Sequence, residues 1–176
     1  MKDSIETERL ILRKVTLSDA EEIFHCWCND EDVTRWLTWN PHKSVAETVE
    51  IVSRWVSEYD DQNTVRYVIA EKASGKLIGS IDVVSFHCGV PVVGYCSGKK
   101  FWNRGYMTEA CKAFLGELKR LGYKLAEIRA VVENVGSNRV IQKCGGVLEA
   151  TVWAYLDQKD DVCKCNSYVI DLEDLY

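Results

Sequence analysis

Residues 93–110, VGYCSGKKFWNRGYMTEA, decide the fold of this chain. An apolar strand enters a short turn here and continues into the strongest helical pattern of the sequence, since apolar residues recur at helical spacing from 107 to 121. Gly122 follows that pattern at a position where glycine commonly ends a helix. The stretch therefore predicts a strand, a tight turn and a long helix.

The turn is a candidate anion site. A helix N-terminus presents unpaired backbone N–H groups and the positive end of the helix dipole, which suits a phosphate. Gly105 would let a ligand approach the backbone closely. Three cations lie within six residues that contain no carboxylate: Lys99, Lys100 and Arg104. An ordinary turn beside a solvated charge cluster explains the same residues. The glycine patterns of dinucleotide and nucleoside-triphosphate loops are absent from the sequence, which argues against those ligands.

The elements around this junction predict a single α/β (α+β) domain over residues 1–176. Apolar alternation and apolar runs between turn residues predict strands at 8–15, 65–71, 76–86, 91–97, 126–133, 147–155 and 162–170. Helical spacing and capping signals predict helices after a capping box at 18–21 and at 45–59, 107–121 and 135–143. This order describes a mixed, mostly antiparallel sheet of about seven strands covered by helices.

The composition excludes several classes of function. The 176 residues are 47% hydrophobic and 28% charged, so the chain can bury a core and fold alone. Its 27 acidic and 22 basic residues give a net charge of -5, unlike the basic surface of a nucleic-acid-binding protein. The first residues lack an apolar core of the length that a signal peptide needs, and no later run approaches about 18 apolar residues. We therefore expect a cytoplasmic protein with no nucleic-acid or membrane partner.

The eight cysteines predict free thiols rather than a metal site. They form no C-x-x-C pair, and the three histidines do not lie in zinc-finger spacing. Cys163 and Cys165 would share one face of a strand, so a regulatory thiol pair or a metal site there is the alternative. We expect no metal.

Four segments together resemble the Gcn5-related N-acetyltransferase (GNAT) superfamily, and more closely its RimJ/RimL-type branch. They are ETERLILR at 6–13, WNPHKSVAET at 39–48, residues 93–110 and ENVGSNRVIQKCG at 133–145. The resemblance implies direct acetyl transfer from acetyl-CoA to a primary amine, in a ternary complex of a monomeric or homodimeric enzyme. The acceptor would be a protein N-terminus or an amine-bearing small molecule. A non-catalytic acetyl-CoA-binding sensor is the alternative.

The resemblance also implies where the coenzyme binds. Two central strands, which end near Ser97 and Glu133, would splay apart and hold the pantetheine arm between them. Backbone N–H groups of the turn would contact the pyrophosphate. The implied cofactor-binding residues are Cys96, Ser97, Asn103, Arg104, Gly105, Tyr106, Met107, Thr108, Asn134 and Arg139.

Asn134 and Ser137 are the catalytic candidates. A protonated amine cannot attack a thioester, so a base or a water chain must remove a proton. The leaving thiolate needs only modest help, because a thiol has a pKa of about 8.5. The resemblance assigns Asn134 to the pantetheine arm and Ser137 to proton donation at the sulfur, whereas helix capping explains both residues without catalysis. Cys96 leaves a covalent acetyl-enzyme open as an alternative.

Four positions depart from the family's pattern, and one of them, Trp102 in place of Arg or Gln three residues before Gly105, is a change that this branch often shows. Ile141 stands where the commonest proton donor is tyrosine, and Val92 stands where the fourth strand often carries glutamate. Gly146 replaces the usual phenylalanine, so we expect looser packing under the last helix. The remaining candidates for a base or a water anchor are Asp82, Glu133 and His87. Each of these also fits an ordinary charge at the end of a strand.

Aromatic residues in the first third of the chain indicate where an acceptor would bind. In this family the N-terminal helices border the acceptor pocket, so the substrate candidates are Trp36, Trp39 and His42. Core packing explains many of the tryptophans. The acidic run at 29–32 would attract a cation, although a solvated charge patch explains it equally well.

Overall fold

Eight strands form one sheet in the order β1-β2-β3-β4-β5-β6-β8-β7 in the computed structural model. The structure describes residues 1–156 and 159–175, so residues 157, 158 and 176 of the predicted domain lie outside the description. The strands are β1 Ser4–Glu6, β2 Leu10–Arg13, β3 Arg66–Glu71, β4 Leu77–His87, β5 Val90–Ser97, β6 Leu125–Val131, β7 Val147–Leu156 and β8 Asp161–Asp171. The helices are α1 Ala20–Ile23, which continues as a π-helical turn over Phe24–Cys28, α2 Glu31–Thr34, α3 Val45–Ser57, α4 Tyr106–Arg120 and α5 Val135–Lys143.

The centre of the sheet contains a short parallel pair. All other neighbouring strands are antiparallel, but α4 crosses over between β5 and β6 and makes these two parallel. Only Val92 with Glu127 and Val93 with Ile128 are paired. Beyond these positions β5 stays bonded to β4, and β6 stays bonded to β8. The predicted splaying of the central strands is confirmed, and we call the gap between residues 94–97 and 129–131 the slot.

Helices cover both faces of the sheet, as predicted. Tyr67 of β3 packs edge-on against Phe114 of α4, with ring centroids 6.1 Å apart. Successive strand residues point to opposite faces, and the adjacent Arg66 lies 5.0 Å from the ring of Trp55 on α3. We call these two sides the α4 face and the α3 face. The apolar core fills both layers, and its largest fully buried side chains include Trp27, Tyr67, Phe114, Leu10, Leu12 and Ile23.

The α4 helix matches the prediction closely. Its buried face consists mainly of Ala110, Cys111, Phe114, Leu115 and Leu118, at the helical spacing that the sequence shows. Gly122 adopts a φ of +96° just after the helix, so the glycine there provides a left-handed conformation that other residues rarely adopt. Because α4 packs closely on the core, its first residues are fixed in place at the open end of the slot.

The N-terminal segment differs from the prediction of one strand at 8–15. The chain forms two strands, β1 and β2, so the sheet has eight strands rather than about seven. The turn between them rests on Glu109 of α4, which accepts hydrogen bonds from the Thr7 hydroxyl at 2.6 Å and the Arg9 backbone N–H at 2.8 Å. This long-range contact has no local signal in the sequence.

The predicted capping box at 18–21 is wrong by two residues. Asp19, rather than Glu21, reaches back to the chain entering the first helical turn, and its carboxylate accepts from the Thr16 backbone N–H at 2.8 Å. Asp19 also pairs with Arg13 of β2 at 2.7 Å. The ion pair selects the acidic residue that can reach both the strand and the turn.

Gly146 does not loosen the packing under α5, contrary to expectation. A Cβ atom added at Gly146 would lie 2.5 Å from Cγ2 of Ile141. Ile141 is itself fully buried. The small residue therefore allows a close approach, and the isoleucine fills the space beneath the helix.

Asn138 ties the end of β6 to α5 and β8. It is 8% exposed. Its side-chain amide donates to the carbonyls of Val131 at 2.9 Å and Asn134 at 2.8 Å. Its Oδ1 accepts from the Tyr168 hydroxyl at 2.8 Å and from Asn166 Nδ2 at 2.9 Å. One side chain thus holds the rim of the slot in position.

We predict that Asn138→Ala lowers the free energy of unfolding by about 1–3 kcal/mol, because several buried polar groups lose their partner. Urea denaturation measures this difference. The exposed Gln142→Ala variant on the same helix is the control and should change stability by less than about 0.5 kcal/mol. Equal midpoints for the two variants would contradict the role given to Asn138.

Candidate active site

The slot exposes backbone groups on the inner edges of β5 and β6. Gly94–Ser97 are paired with β4 and Arg129–Val131 with β8, and the two runs are not paired with each other. Buried backbone N–H and C=O groups need partners. At the end of β5, the Ser97 carbonyl accepts a hydrogen bond from the indole N–H of Trp102 at 2.8 Å. The slot is therefore a place where an extended molecule can add hydrogen bonds to the sheet.

The turn at the open end of the slot concentrates backbone donors. Asn103 and Gly105 both adopt left-handed conformations, with φ values of +59° and +77°. Within the described residues, the backbone N–H groups from Asn103 to Thr108 donate to no protein acceptor. The positive end of the α4 dipole lies at the same place. This geometry can bind an anion without any cationic side chain.

Arg9 adds a fixed cation to this turn. Its Nη1 donates to the Arg104 carbonyl at 3.0 Å, and its guanidinium lies 4.5 Å from the centre of the Tyr106 ring. Glu109 holds its Nε at 2.7 Å. The segment at 6–13 indicated a strand, and nothing in its spacing revealed that this arginine meets the start of α4.

The predicted cation cluster is partly neutralised. Lys99 Nζ pairs with the carboxylate of Asp32 on α2, and Lys100 lies 5.0 Å from the Phe101 ring. The acidic run at 29–32 also has partners within the protein, because Asp30 caps α2 and accepts a hydrogen bond from the Asp32 N–H at 2.8 Å. The two charge patches that the sequence showed separately are thus joined by an ion pair.

Asn134 and Ser137 lie together at the start of α5. The Asn134 Oδ1 accepts from the Ser137 N–H at 3.1 Å, so Asn134 caps the helix. The hydroxyls of Ser137 and Tyr95 lie 2.9 Å apart. Burial raises the pKa of Tyr95 and outweighs the opposing effect of its hydrogen bond to Ser137, so the phenol stays protonated at neutral pH. Tyr95 follows the motif glycine Gly94, but the sequence did not mark it as a site residue.

Cys96 points away from these hydroxyls. Successive residues of β5 alternate faces, so Tyr95 lies on the α4 face and Cys96 on the α3 face. The Cys96 sulfur lies 3.4 Å from the Ser80 hydroxyl. Burial raises the pKa of Cys96 to about 12. A neutral, half-buried thiol is a poor nucleophile.

The remaining cofactor candidates differ in how exposed their side chains are. Met107 is half-buried and packs on the core, and the Thr108 carbonyl accepts a weak bond from the Cys144 thiol at 3.7 Å. Arg139 is exposed on α5. The structure thus brings the turn residues together at one end of the slot and places Asn134 and Ser137 beside its inner edge.

The acceptor candidates do not form one cluster. Trp39 and His42 are in contact, with ring centroids 5.3 Å apart, whereas Trp36 lies 4.6 Å from the guanidinium of Arg35. His42 Nδ1 lies 2.8 Å from the Thr48 hydroxyl, and burial lowers the pKa of His42, which favours the neutral imidazole. A cavity of about 600 Å³ lies beside α2, and its lining includes Glu31, Asp32, Thr34, Arg35, Asn40, Pro41 and Lys159.

Two carboxylates lie on the α3 face near the closed end of the slot. Asp82 of β4 is opposite Gly94 and bonds Arg66 Nε at 3.1 Å. Burial raises the pKa of Asp82 and outweighs the opposing effect of Arg66. The second carboxylate, Glu127, is paired in register with Val92, the position where the resemblance expected a carboxylate. Glu127 had no signal in the sequence beyond its place in an apolar strand.

Comparison with known proteins decides the family. A family model described as an acetyltransferase (GNAT) domain matches residues 9–147. The chain belongs to the GNAT acetyltransferase family. It is similar to the uncharacterised N-acetyltransferase YoaA of Bacillus subtilis, with 31% identity over 174 residues that cover 94% of this chain and 95% of YoaA. The predicted family, fold and enzyme class, a GNAT N-acetyltransferase, are confirmed.

Solved structures share the fold. The microcin C7 self-immunity acetyltransferase MccE, in complex with acetyl-CoA and AMP, has a TM-score of 0.85 at 20% identity, and the alignment covers 97% of both chains. RimL, a ribosomal L7/L12 α-N-protein acetyltransferase in complex with coenzyme A, has a TM-score of 0.83 at 20% identity over 96% of this chain and 97% of RimL. Among the described residues, no helix has the length and apolar character of a membrane span, and no group of three or more acidic, His or Cys side chains is arranged around a metal position.

We predict that Cys96 resists alkylation by iodoacetamide at pH 8, because a pKa of about 12 leaves only about one thiolate in 10⁴. Peptide mass spectrometry should find the exposed Cys88 modified first. Raising the pH should increase labelling at Cys96, since more of the thiol is then ionised. Labelling of both cysteines at equal rates, or an acetylated Cys96 after incubation with acetyl-CoA, would contradict the inert thiol.

Proposed function

We propose that the protein is a cytoplasmic N-acetyltransferase that moves an acetyl group from acetyl-CoA to a primary amine by direct transfer in a ternary complex. The observation that carries this proposal is the row of N–H groups at the start of α4 that find no acceptor among the described residues, located at the open end of a slot in the sheet. Phosphates and an extended amide-bearing arm are the two chemical parts of coenzyme A, and this arrangement suits both. MccE and RimL, which share the fold, are solved with acetyl-CoA and coenzyme A.

The residues around the turn fit the coenzyme. The backbone N–H groups from Asn103 to Thr108 would bind the pyrophosphate, with Arg9 as a neighbouring cation. The inner edges of the slot would bond the pantetheine arm, and Asn134 would contact it at the start of α5. The coenzyme supplies an activated acetyl thioester. Because the turn uses backbone donors, binding depends on conformation more than on the exposed side chains of Lys100 or Arg104.

Ser137 is the proposed proton donor to the departing thiolate. Its hydroxyl is in hydrogen-bonding contact with Tyr95. The Tyr95 phenol, which stays protonated, can in turn replace the proton that Ser137 gives up. This two-hydroxyl relay would take the place of the tyrosine that is absent at Ile141. Cys96 is not expected to form an acetyl-enzyme, because its thiol is neutral and on the other face.

The acceptor would approach from the α3 face, near Trp36, Trp39 and His42. RimL is described as an α-N-protein acetyltransferase. This description supports protein N-termini as acceptors. Small amines are proposed beside them, because both carry the primary amine that the reaction needs. The lining of the cavity beside α2 contains both acidic and basic side chains. The net negative charge of the chain therefore does not by itself indicate that the acceptor is a cation.

We predict that Gly105→Leu abolishes the thermal shift given by acetyl-CoA, because a side chain at φ +77° disturbs the row of N–H donors. Gly75→Leu is the matched control. Gly75 has a φ of +69° in the β3–β4 turn, so it carries a similar backbone cost of about 1–2 kcal/mol away from the slot. Gly75→Leu should keep the full shift. A normal shift for a folded Gly105→Leu protein would remove the pyrophosphate assignment.

We predict that Asn134→Ala raises the KM for acetyl-CoA, whereas Ser137→Ala lowers kcat with little change in KM. Both variants should stay folded, since a lost cap costs about 1 kcal/mol. Ser44→Ala is the control, because Ser44 caps α3 through a 3.3 Å bond from the Glu47 N–H. Release of free coenzyme A is measured with a short peptide bearing N-terminal serine and with a panel of small amines. Wild-type kinetics in both variants would leave capping as their only role, and binding without turnover in wild type would favour a sensor.

A further inference from the structure

Glu127 is a buried carboxylate held by three side chains. It is 4% exposed and lies within β6. Its Oε2 lies 2.9 Å from His87 Nδ1, and its Oε1 accepts from the Ser167 hydroxyl at 2.8 Å. Its Oε1 also contacts the Arg129 guanidinium. Burial alone would raise the pKa of Glu127, but the hydrogen bonds that it accepts outweigh this effect and keep the carboxylate ionised.

This cluster is adjacent to the closed end of the slot. Glu127 belongs to the first of the two parallel pairs, and the strands have separated by Arg129, which is two residues further along β6. That interval is about 7 Å along the strand. On the other side of β5, His87 of β4 is opposite Val90, two residues before Val92, and its side chain reaches Glu127.

The cluster is on the face from which an acceptor would approach. Strand residues alternate faces, and Glu127 is two residues from Arg129 and directly precedes Ile128. Ile128 is paired with Tyr168, whose hydroxyl bonds Asn138 of α5 on the α4 face. Glu127 and His87 therefore lie on the opposite face from Ser137 and the start of α5.

One ring nitrogen of His87 is hydrogen-bonded to Glu127, and the other is available to a substrate. Glu127 is an acceptor, so Nδ1 carries a hydrogen and donates it, and the neutral imidazole then has its lone pair on Nε2. The His87 side chain is 62% exposed, and no acceptor or donor for Nε2 occurs among the described residues. Of the described polar groups, Glu127 of β6 contacts His87 directly, and Arg129 of β6 and Ser167 of β8 contact Glu127 in turn.

We propose that His87, positioned by Glu127, is the base that takes the proton from the acceptor amine. The inference rests on the proposed acetyl transfer. The ammonium proton moves to Nε2 of His87, and the nitrogen lone pair then forms the new C–N bond to the acetyl carbon. The C–S bond breaks and its electrons leave with the thiolate, which takes a proton from Ser137 or water. The second proton on the attacking nitrogen passes to water and leaves a neutral amide, and Tyr95 and water restore the proton of Ser137. His87 returns its own proton to solvent through its exposed edge.

Asp82 is the competing candidate and is less suited to the task. Its carboxylate is engaged by Arg66, which also pairs with Glu58 at 2.6 Å. The Glu127 carboxylate is also engaged by an arginine, Arg129, but it accepts a hydrogen bond from His87 as well. The second ring nitrogen of His87 has no partner among the described residues. A proton acceptor must reach the substrate, and of these groups His87 is the one with an exposed lone pair.

The test compares His87→Gln with wild type over a range of pH, with acetyl-CoA and the N-terminal serine peptide as substrates. We expect kcat at pH 7 to fall by about 10²-fold or more, with the thermal shift by acetyl-CoA unchanged. The deficit should shrink as pH rises, because a larger share of the peptide amine is then already neutral. Imidazole added to a His87→Gly variant should restore some of the lost rate. His25→Gln, which removes an exposed imidazole that packs against Phe24, is the control.

A double-mutant cycle tests the positioning role of Glu127. Glu127→Gln should lower kcat in the wild-type background but have no further effect in the His87→Gln background, because it acts through the imidazole. Additive losses would overturn that role, and a His87→Gln enzyme with wild-type rates across the pH range would overturn the proposed base. In the latter case the proposed function stands as long as wild type acetylates the peptide or an amine from the panel. A wild-type protein that binds no acetyl-CoA would instead overturn both.

Discussion

The structure depends on one constraint, which is that the parallel pairing of β5 and β6 stops after two residue pairs. A longer ladder would fill the backbone hydrogen bonds of both strands and leave no place for a ligand. Because β5 keeps β4 as its partner and β6 keeps β8, the strands separate without unfolding. The crossover through α4 then sets the start of a helix at the open end of the gap. The proposed coenzyme site is thus a consequence of topology more than of particular side chains.

The sheet also separates the two halves of the proposed reaction. Tyr95 and Ser137 meet on the α4 face, where a departing thiolate would need a proton. Glu127 and His87 meet on the α3 face, where an incoming amine would lose one. Alternation along a strand is enough to produce this division, since neighbouring residues point to opposite sides. The enzyme therefore does not need one group to serve as both acid and base.

Local patterns predicted the strands and helices well, because apolar periodicity reports burial directly. The long α4 helix and α5 occur close to where their spacing indicated. The resemblance to GNAT proteins supplied the splayed strands, which no local pattern encodes. Contacts between distant segments were not predictable in the same way. Arg9 of the N-terminal segment bonds the turn before α4, and Lys99 is paired with Asp32. Glu127 has partners on β4 and β8. Each of these interactions joins residues that are far apart in the sequence or hidden in an apolar run.

Backbone hydrogen exchange with and without coenzyme A tests the central claim most directly, because that claim concerns main-chain donors. The account predicts that coenzyme A slows exchange at Asn103 to Thr108 and along residues 94–97 and 129–131, while the β1–β2 edge of the sheet is unaffected. Protection confined to other segments, with unchanged exchange at the start of α4 and along the slot, would contradict it.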